Sequence, residues 1–212
     1  MNILLTGGSG QLGTELQKLR EYYAPSHKEF NLINLSQLKE VLGFVRPELI
    51  VHVAAYTQTA LPEKDPKEAI KCYQVNVEGT RNLVEAADCP IIFISTESAV
   101  APYNFYILTK MLAETAIKMH DKYKIIRTSF RENPFEYPKA ATDMLTIADT
   151  VEKIAKLIDK SVDLPCENNT IYVGTGVKTV YELAKQTRPD VIPESRENIS
   201  PILPSMEELL NI

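Results

Sequence analysis

A glycine-rich turn near the start of the chain constrains the fold more than any other feature of the sequence. The turn follows a short apolar run, residues 2–6, and holds four of the chain's eight glycines in the stretch Gly7-Gly8-Ser9-Gly10-Gln11-Leu12-Gly13. Glycines at this spacing allow a tight strand-to-helix turn, let the backbone approach a phosphate group, and let the helix pack closely on the strand. N–H groups at the start of such a helix bind a pyrophosphate. The segment therefore predicts the first β–α unit of a dinucleotide-binding sheet.

Strand-like and helix-like patterns alternate through the first 130 residues. Apolar spacing predicts helices at 11–23, 36–45, 62–73, 75–87 and 103–120, and apolar runs predict strands at 2–6, 49–53, 90–94 and 123–127. Strands that are apolar nearly throughout are typical of a parallel sheet covered by helices on both faces. The predicted fold class is therefore α/β, a doubly wound parallel sheet of the NAD(P)-binding Rossmann type with right-handed crossovers.

The pattern becomes less regular after Arg127. We expect a helix at 146–160, a strand at 171–173, a helix at 180–186, and an irregular proline-rich tail with a final turn near 206–210. The length of 212 residues suits one domain. We predict a single Rossmann-type domain over 1–212, with a dinucleotide-binding core at 1–130 and a small, abbreviated C-terminal substrate region at 131–212.

Composition excludes several classes of function. The formal charge of −5, from 23 basic and 28 acidic residues, argues against a protein that wraps nucleic acid, since neutralising phosphates requires excess Lys and Arg. The three cysteines are widely spaced and no Cys/His cluster occurs, so neither a disulfide framework nor a metal site is expected. The longest apolar stretches fall short of the ~20 residues of a membrane span, and no signal peptide is recognisable. We predict a cytoplasmic protein.

A Tyr-x-x-x-Lys pattern supplies candidate acid–base chemistry. Tyr106 and Lys110 lie one helical turn apart, so their side chains share a helix face. A phenol with a pKa near 10 is a poor acid at neutral pH, and a neighbouring ammonium is expected to lower that pKa. Thr96 ends the preceding predicted strand, and the carboxyl ends of parallel strands border the ligand crevice. A hydroxyl there could hydrogen-bond a substrate carbonyl.

The choice of cofactor depends on the residues that follow the predicted first helix. An acid there would bind the ribose 2′-hydroxyl of NAD. The segment instead contains Ser26, His27 and Lys28, which can donate hydrogen bonds to a 2′-phosphate, while Glu29 is the acid nearby. We therefore predict NADP, with NAD as the alternative if these residues form only a solvated loop.

Several further motifs resemble those of the extended short-chain dehydrogenase/reductase family, and within it the dTDP-4-dehydrorhamnose reductases. The resemblance runs along most of the chain. It is carried by the segments 1–5 with 10–13, 46–51, Ala54-Ala55-Tyr56-Thr57, Val75-Asn76 with Gly79-Thr80, Ser95-Thr96, Tyr106-x-x-Thr109-Lys110-x-x-x-Glu114 and Arg127-Thr128-Ser129.

The resemblance implies roles for individual residues. Thr96, Tyr106 and Lys110 match the catalytic trio, and Asn76 matches a helix asparagine that supports the active site. Hydride would pass from NAD(P)H to a ketone carbon while Tyr106 protonates the oxygen. Lys110 would also hold the nicotinamide ribose. The implied cofactor contacts are Gly7, Gly10, Gln11 and Leu12 at the pyrophosphate, Asn31 and Leu32 beside the adenine, and Ala54, Ala55 and Tyr56 beneath the cofactor.

The sequence also departs from this family. The usual Ser-Thr-Asp-Tyr-Val-Phe is Ser95-Thr96-Glu97-Ser98-Ala99-Val100 here, and Thr96 and Tyr106 are only ten positions apart. The shortened part is the one that shapes a sugar-nucleotide pocket. The primary hypothesis is a reductase acting on a nucleotide-linked keto sugar or a smaller ketone. The alternatives are a catalytically silent NAD(P)-binding regulatory or scaffold subunit, and a sugar-nucleotide epimerase. The helices at 75–87 and 103–120 are compatible with a homodimer.

Overall fold

The structure is a computed structural model, and it describes residues 1–195. Five parallel strands form the central sheet in the order β1-β2-β3-β4-β9. The strands in chain order are β1 (Ile3–Thr6), β2 (Leu49–His52), β3 (Ile91–Thr96), β4 (Tyr123–Thr128), β5 (Phe130–Arg131), β6 (Lys139–Ala141), β7 (Leu145–Thr146), β8 (Asp149–Thr150), β9 (Asn169–Tyr172), β10 (Lys178–Thr179) and β11 (Ile192–Glu194).

Helices cover both faces of the sheet, which confirms the predicted doubly wound α/β fold. They are α1 (Gln11–Gln17), α2 (Leu35–Val45), α3 (Pro66–Tyr73), α4 (Gly79–Ala86), α5 (Phe105–Ile117), α6 (Val151–Val162) and α7 (Val180–Thr187). Alternating strand residues face opposite sides: Leu5 packs with α1 and α6, whereas Leu4 packs with α2, α4 and α5. Two apolar clusters, one on each face, therefore hold the sheet.

The first predicted helix is shorter than its apolar spacing indicates. It ends at Gln17 instead of Tyr23. Tyr23 instead extends beside β1, where its N–H donates to the Ile3 carbonyl and its carbonyl accepts from Leu5 N–H, both at 2.9 Å. Backbone hydrogen bonding at the open sheet edge takes precedence over the helical pattern in this segment.

Other helix ends are set by capping side chains. Asn34, not Ser36, caps α2 by accepting from Gln37 N–H at 3.1 Å. Asp65 caps α3, so that helix begins at Pro66 instead of Pro62. Asn104 caps α5 by accepting from Ile107 N–H at 2.8 Å. Short polar side chains compensate the unpaired N–H groups at a helix start, and this local chemistry places the ends.

Helices α3 and α4 are joined without a break through a π-helical turn, Gln74–Glu78. The sequence instead predicts two separate helices at 62–73 and 75–87. A π turn inserts one extra residue into the helical ladder, and such turns are frequent at functional sites. Asn76 lies in this turn and is buried.

The C-terminal part has a small apolar cluster of its own. Three two-stranded pairings occur there, β5 with β8, β6 with β11 and β7 with β10. Phe135, Ala140, Val180 and Ala184 belong to this cluster. The predicted helix at 146–160 is wrong at its start, because residues 145–146 and 149–150 pair as strands and α6 begins only at Val151. The turn predicted near 206–210 lies outside the described residues.

Within residues 1–195, none of the helices has the length and apolarity needed to cross a lipid bilayer.

Two glycines allow a matched test of packing in this fold. A Cβ on Gly13 would lie 2.2 Å from the Gly7 carbonyl oxygen, whereas a Cβ on Gly43 in α2 would meet nothing within 4 Å. We expect Gly13→Ala to lower the free energy of unfolding by about 1–3 kcal/mol. We expect Gly43→Ala to raise it by about 0.5–1 kcal/mol, the helix-propensity gain. Urea unfolding of both variants measures these changes. Equal changes in the free energy of unfolding for the two variants would contradict the close packing of Gly13 against Gly7.

Candidate active site

The glycine turn lies at the carboxyl end of β1. Gly7 has a φ of 74°, which side-chain-bearing residues rarely adopt, and the Gly10 N–H donates to the Gly7 carbonyl at 3.0 Å. Helix α1 then begins at Gln11, and no side chain caps its first N–H groups. A groove of about 390 Å³ opens beside them, lined in part by Ser9, Gln11 and Thr14. The turn therefore presents uncapped N–H donors to an open groove, which suits an anionic group.

Gln11 and Leu12 can contribute only their backbone to such a group. The Gln11 side chain donates to the Glu132 carboxylate across the groove. The Leu12 side chain is buried in the apolar cluster beside β1. A cofactor contact at either position would therefore be made through the backbone N–H group.

The loop after β2 lies directly against the glycine turn. A Cβ on Gly7 would lie 2.6 Å from the Ala54 nitrogen, and the Ala54 N–H donates to Thr6 Oγ1 at 3.2 Å. Ala55 and Tyr56 follow and are half-buried. The Tyr56 hydroxyl donates to Glu68 on α3 at 2.7 Å. The structure thus brings Gly7, Ala54 and Tyr56 to one edge of the sheet.

Asn76 connects this loop to the helix that carries Tyr106. Its Oδ1 accepts from the Tyr56 N–H at 2.7 Å, and its Nδ2 donates to Thr109 Oγ1 at 2.9 Å. Thr109 in turn donates to the Tyr106 carbonyl at 2.7 Å. Asn76 therefore holds two parts of the site together from inside the protein.

The residues expected near the adenosine form a turn before α2. Ser26 donates to Glu29 through both its hydroxyl, at 2.7 Å, and its N–H, at 2.9 Å, and these bonds lower the pKa of Glu29. Lys28 is exposed. The Asn31 Oδ1 accepts from Ile33 N–H at 3.1 Å. Leu32 is buried against Gly79, where a Cβ would lie 2.9 Å away. In this arrangement the Ser26 hydroxyl proton is already used, and the exposed side chains of His27 and Lys28 are the other predicted donors.

Thr96 lies at the end of β3, and Tyr106 and Lys110 lie one turn apart on α5, which packs on that strand. Thr96 is the last residue of β3 and is half-buried. The Lys110 ammonium is buried, donates to the Ile94 carbonyl at 2.8 Å, and lies 4.1 Å from the centre of the Phe93 ring. Within the described chain, no residue hydrogen-bonds the Tyr106 hydroxyl, which leaves that group available to a substrate.

Burial dominates the titration of both helix residues. It raises the pKa of Tyr106 to about 12, with a smaller contribution from Cys72. It lowers the pKa of Lys110 to about 7, against an opposing effect of Glu114. The expectation that Lys110 lowers the Tyr106 pKa is therefore wrong for this structure. The physical reason is that desolvation disfavours the charged form of each group.

Two buried carboxylates near the site were not assigned roles from sequence. Glu97, which the sequence marks only as a departure from the family pattern, accepts from the Thr146 hydroxyl and the Ile147 N–H, each at 2.8 Å. Glu114 accepts from Arg127 at 3.0 and 2.7 Å and from the Ser95 hydroxyl at 2.6 Å. Two features of the sequence point to Glu114: its place four residues after Lys110, on the same helix face, and its place at the end of the motif that begins at Tyr106.

Among residues 1–195, no group of three or more His, Cys, Asp and Glu side chains is placed to hold a metal ion.

The low pKa of Lys110 has a measurable consequence. The folded pKa, about 7, lies below the ordinary unfolded value near 10.4, so the unfolded chain binds more protons between those values and stability rises with pH there. We expect the free energy of unfolding of the wild type, relative to Lys110→Met, to rise by about 2 kcal/mol between about pH 7 and about pH 9. Urea unfolding at several pH values measures the difference, and a constant difference would contradict the burial of the ammonium.

Known proteins resemble this chain in sequence. A family model described as RmlD substrate binding domain matches residues 1–171. A dTDP-4-dehydrorhamnose reductase of Escherichia coli is 30% identical over 193 residues, covering 76% of this chain and 61% of that protein. An uncharacterized membrane protein of Methanocaldococcus jannaschii is 34% identical over 149 residues, covering 58% of this chain and 44% of that protein. The chain thus spans less than two thirds of the length of these relatives.

A solved structure shares the fold nearly throughout. The crystal structure of dTDP-4-dehydrorhamnose reductase from Bacillus anthracis in complex with NADP superposes with a TM-score of 0.79 at 26% identity, covering 92% of this chain and 85% of that chain. With a family model matching most of the chain and this likeness in fold, the chain belongs to the RmlD substrate-binding-domain family, within the extended short-chain dehydrogenases/reductases.

Proposed function

We propose that this chain is an NAD(P)-dependent reductase that transfers hydride to a keto group, on a nucleotide-linked 4-keto-6-deoxy sugar. The observation that carries the proposal is the attachment of α5, which holds Tyr106 and Lys110, to β3, which ends at Thr96: Lys110 donates to the Ile94 carbonyl of that strand at 2.8 Å. Family membership supports it, as does the NADP bound to the Bacillus anthracis relative. The domain division at residue 130 and a cytoplasmic homodimer remain predictions that accompany this proposal.

The residues around the glycine turn fit a dinucleotide. The first N–H groups of α1 are uncapped by side chains, and the exposed Gly10 just before them adds no Cβ to that surface. A bound, reduced nicotinamide supplies the hydride. The Gly7–Leu12 backbone would hold the pyrophosphate, and Ala54, Ala55 and Tyr56 would support the cofactor from below.

The chain's own residues supply the proton and the orientation. Thr96 would hydrogen-bond the substrate carbonyl oxygen, which orients that group and stabilises the charge that develops on it. Tyr106 would donate its proton to the same oxygen, and its high pKa in the free protein keeps it protonated until that step. Lys110 would bind ribose hydroxyls, and its low pKa makes this contact sensitive to pH near neutrality.

Turnover tests the acid directly. We expect purified protein to oxidise NADPH when dTDP-4-keto-6-deoxy-sugar is added, and Tyr106→Phe to reduce the rate by at least about 10²-fold while still binding cofactor. Tyr103→Phe is the matched control, because Tyr103 is exposed three residues away and we expect it to keep the wild-type rate.

Cofactor binding with no turnover would instead favour the regulatory or scaffold alternative. Interconversion of two sugar nucleotides without net oxidation of the cofactor would favour the epimerase. Absence of binding to both NADPH and NADH would overturn the assignment of the glycine turn.

Lys28 tests the preference for NADP. Because the Ser26 hydroxyl is engaged by Glu29, Lys28 is the positively charged candidate for the 2′-phosphate contact, beside His27. We expect Lys28→Gln to weaken NADPH binding about fivefold, the size of one exposed charge contact, and to leave NADH binding unchanged. Lys39→Gln, which removes an exposed charge on α2, serves as the control. Equal loss for both cofactors in Lys28→Gln would contradict the contact.

A further inference from the structure

A buried histidine lies at the junction of the glycine turn and the active-site helix. His52 ends β2 and is completely buried, with its ring 5.3 Å from that of Phe93. Its Nδ1 is 2.7 Å from Thr6 Oγ1, and its Nε2 is 3.1 Å from Thr80 Oγ1. Both ring nitrogens therefore have a hydroxyl partner inside the apolar core.

Counting hydrogens determines the tautomer of His52. The Thr80 hydroxyl donates its single proton to the Asn76 carbonyl at 2.7 Å, so it can only accept from His52. His52 must then carry its proton on Nε2. In a neutral ring Nδ1 is the acceptor, which makes the Thr6 hydroxyl its donor, and the free lone pair of Thr6 Oγ1 accepts from Ala54 N–H at 3.2 Å. In this one arrangement, each of these hydrogen-bonding groups has a partner of the right kind.

The neutral state of the ring has a clear physical cause. Burial lowers the pKa of His52 to about 3, and the positive charge of Lys110 lowers it further in the same direction. The ring therefore carries one proton throughout the neutral range, and the direction of each hydrogen bond stays as described.

The hydrogen-bond chain continues from His52 to Tyr106. It runs through the Thr80 hydroxyl to the carbonyl of Asn76 in the π turn, and the Asn76 side chain then bonds both Tyr56 and Thr109. The Thr109 hydroxyl donates a hydrogen bond to the Tyr106 carbonyl. Two sets of hydrogen bonds, joined through the covalent frame of Asn76, thus connect Thr6, beside the glycine turn, with the backbone of Tyr106.

We propose that His52 is a positioning residue for Tyr106. As its Nε2–H tautomer, His52 holds the π turn in place through Thr80. Asn76 in that turn then positions both the loop after β2 and the start of α5. In its functional consequence this inference rests on the proposed reductase activity. Its structural content, the tautomer and the coupling to Tyr106, stands independently of turnover.

Nitrogen-15 NMR of histidine-labelled protein tests the tautomer without any activity. The His52 signals are assigned by their loss in His52→Gln, with His27 and His120 as the other two histidines of the chain. We expect a neutral Nε2–H imidazole that does not titrate from about pH 8 to about pH 5. A Nδ1–H tautomer, or a proton gained in that range, would overturn the inference.

Two substitutions at His52 each remove a different one of its two hydrogen bonds. His52→Asn places an amide oxygen near the Nδ1 position and loses the donor to Thr80, whereas His52→Gln places an amide nitrogen near the Nε2 position and keeps it. We expect His52→Asn to lower kcat about tenfold, the value of one buried hydrogen bond, with cofactor Kd changed less than about threefold. We expect His52→Gln to retain most of the rate.

Thr80 supplies an independent pair of variants that leaves the imidazole in place. Thr80→Val removes the hydroxyl at nearly constant volume, and Thr80→Ser keeps it. We expect the ring signals of Tyr106, followed in tyrosine-labelled protein, to shift in Thr80→Val and His52→Asn and to stay in place in Thr80→Ser. We expect kcat to fall in Thr80→Val and His52→Asn and to stay near the wild-type value in Thr80→Ser.

The outcomes separate the two proposals. If the wild type turns over no keto sugar, the proposed function fails. The tautomer of His52 and the shifts of the Tyr106 signals still decide whether His52 positions Tyr106. If Thr80→Val leaves the Tyr106 signals unchanged, or if all variants lose kcat, cofactor affinity and stability in proportion, His52 is an ordinary core residue and the inference is wrong.

Discussion

The contact between the glycine turn and its neighbours is the constraint on which the rest of the structure depends. Gly7 lies against Ala54 and Gly13 lies against the Gly7 carbonyl, with no room for a Cβ at either contact. This closeness lets α1 begin directly at the sheet edge and brings the loop after β2 beneath the same surface. A single added methyl group at either place would separate two parts of the candidate cofactor site, because packed backbone has little freedom to adjust.

Polar groups buried beneath that surface connect the site to the fold. His52, Thr80, Asn76 and Thr109 all lie in the interior, and each hydrogen bond among them has a donor and an acceptor in the right order. Burying such groups is costly unless all are paired, so a fully paired chain favours a single arrangement over many loosely packed ones. The residues that keep the core specific are thus also those that determine where Tyr106 lies.

The C-terminal part is attached to the end of β3 by a different interaction. Glu97 directly follows Thr96 and binds the segment at Thr146 and Ile147, while Arg127 and Glu114 join β4 to α5. The small apolar cluster around Phe135 and Val180 lies in this region. In a chain that spans 61% of its Escherichia coli relative, the Glu97 carboxylate connects a compact C-terminal part to the strand end where a substrate would bind.

The fold class and the position of the glycine turn could be read from the sequence, since both follow from local spacing and chemistry. The roles of Thr96, Tyr106 and Lys110 came from the resemblance to a family and stay predictions. The sequence misplaced the end of α1, the start of α6 and the π turn, because sheet-edge pairing and distant contacts decide those boundaries. It also predicted the wrong direction for the Tyr106 pKa. Only the tertiary structure shows that both Tyr106 and Lys110 are desolvated, and that His52, 54 residues before Tyr106 in the chain, belongs to the same hydrogen-bonded unit. Burial and long-range hydrogen bonds depend on which segments meet, and spacing along one chain carries no record of that.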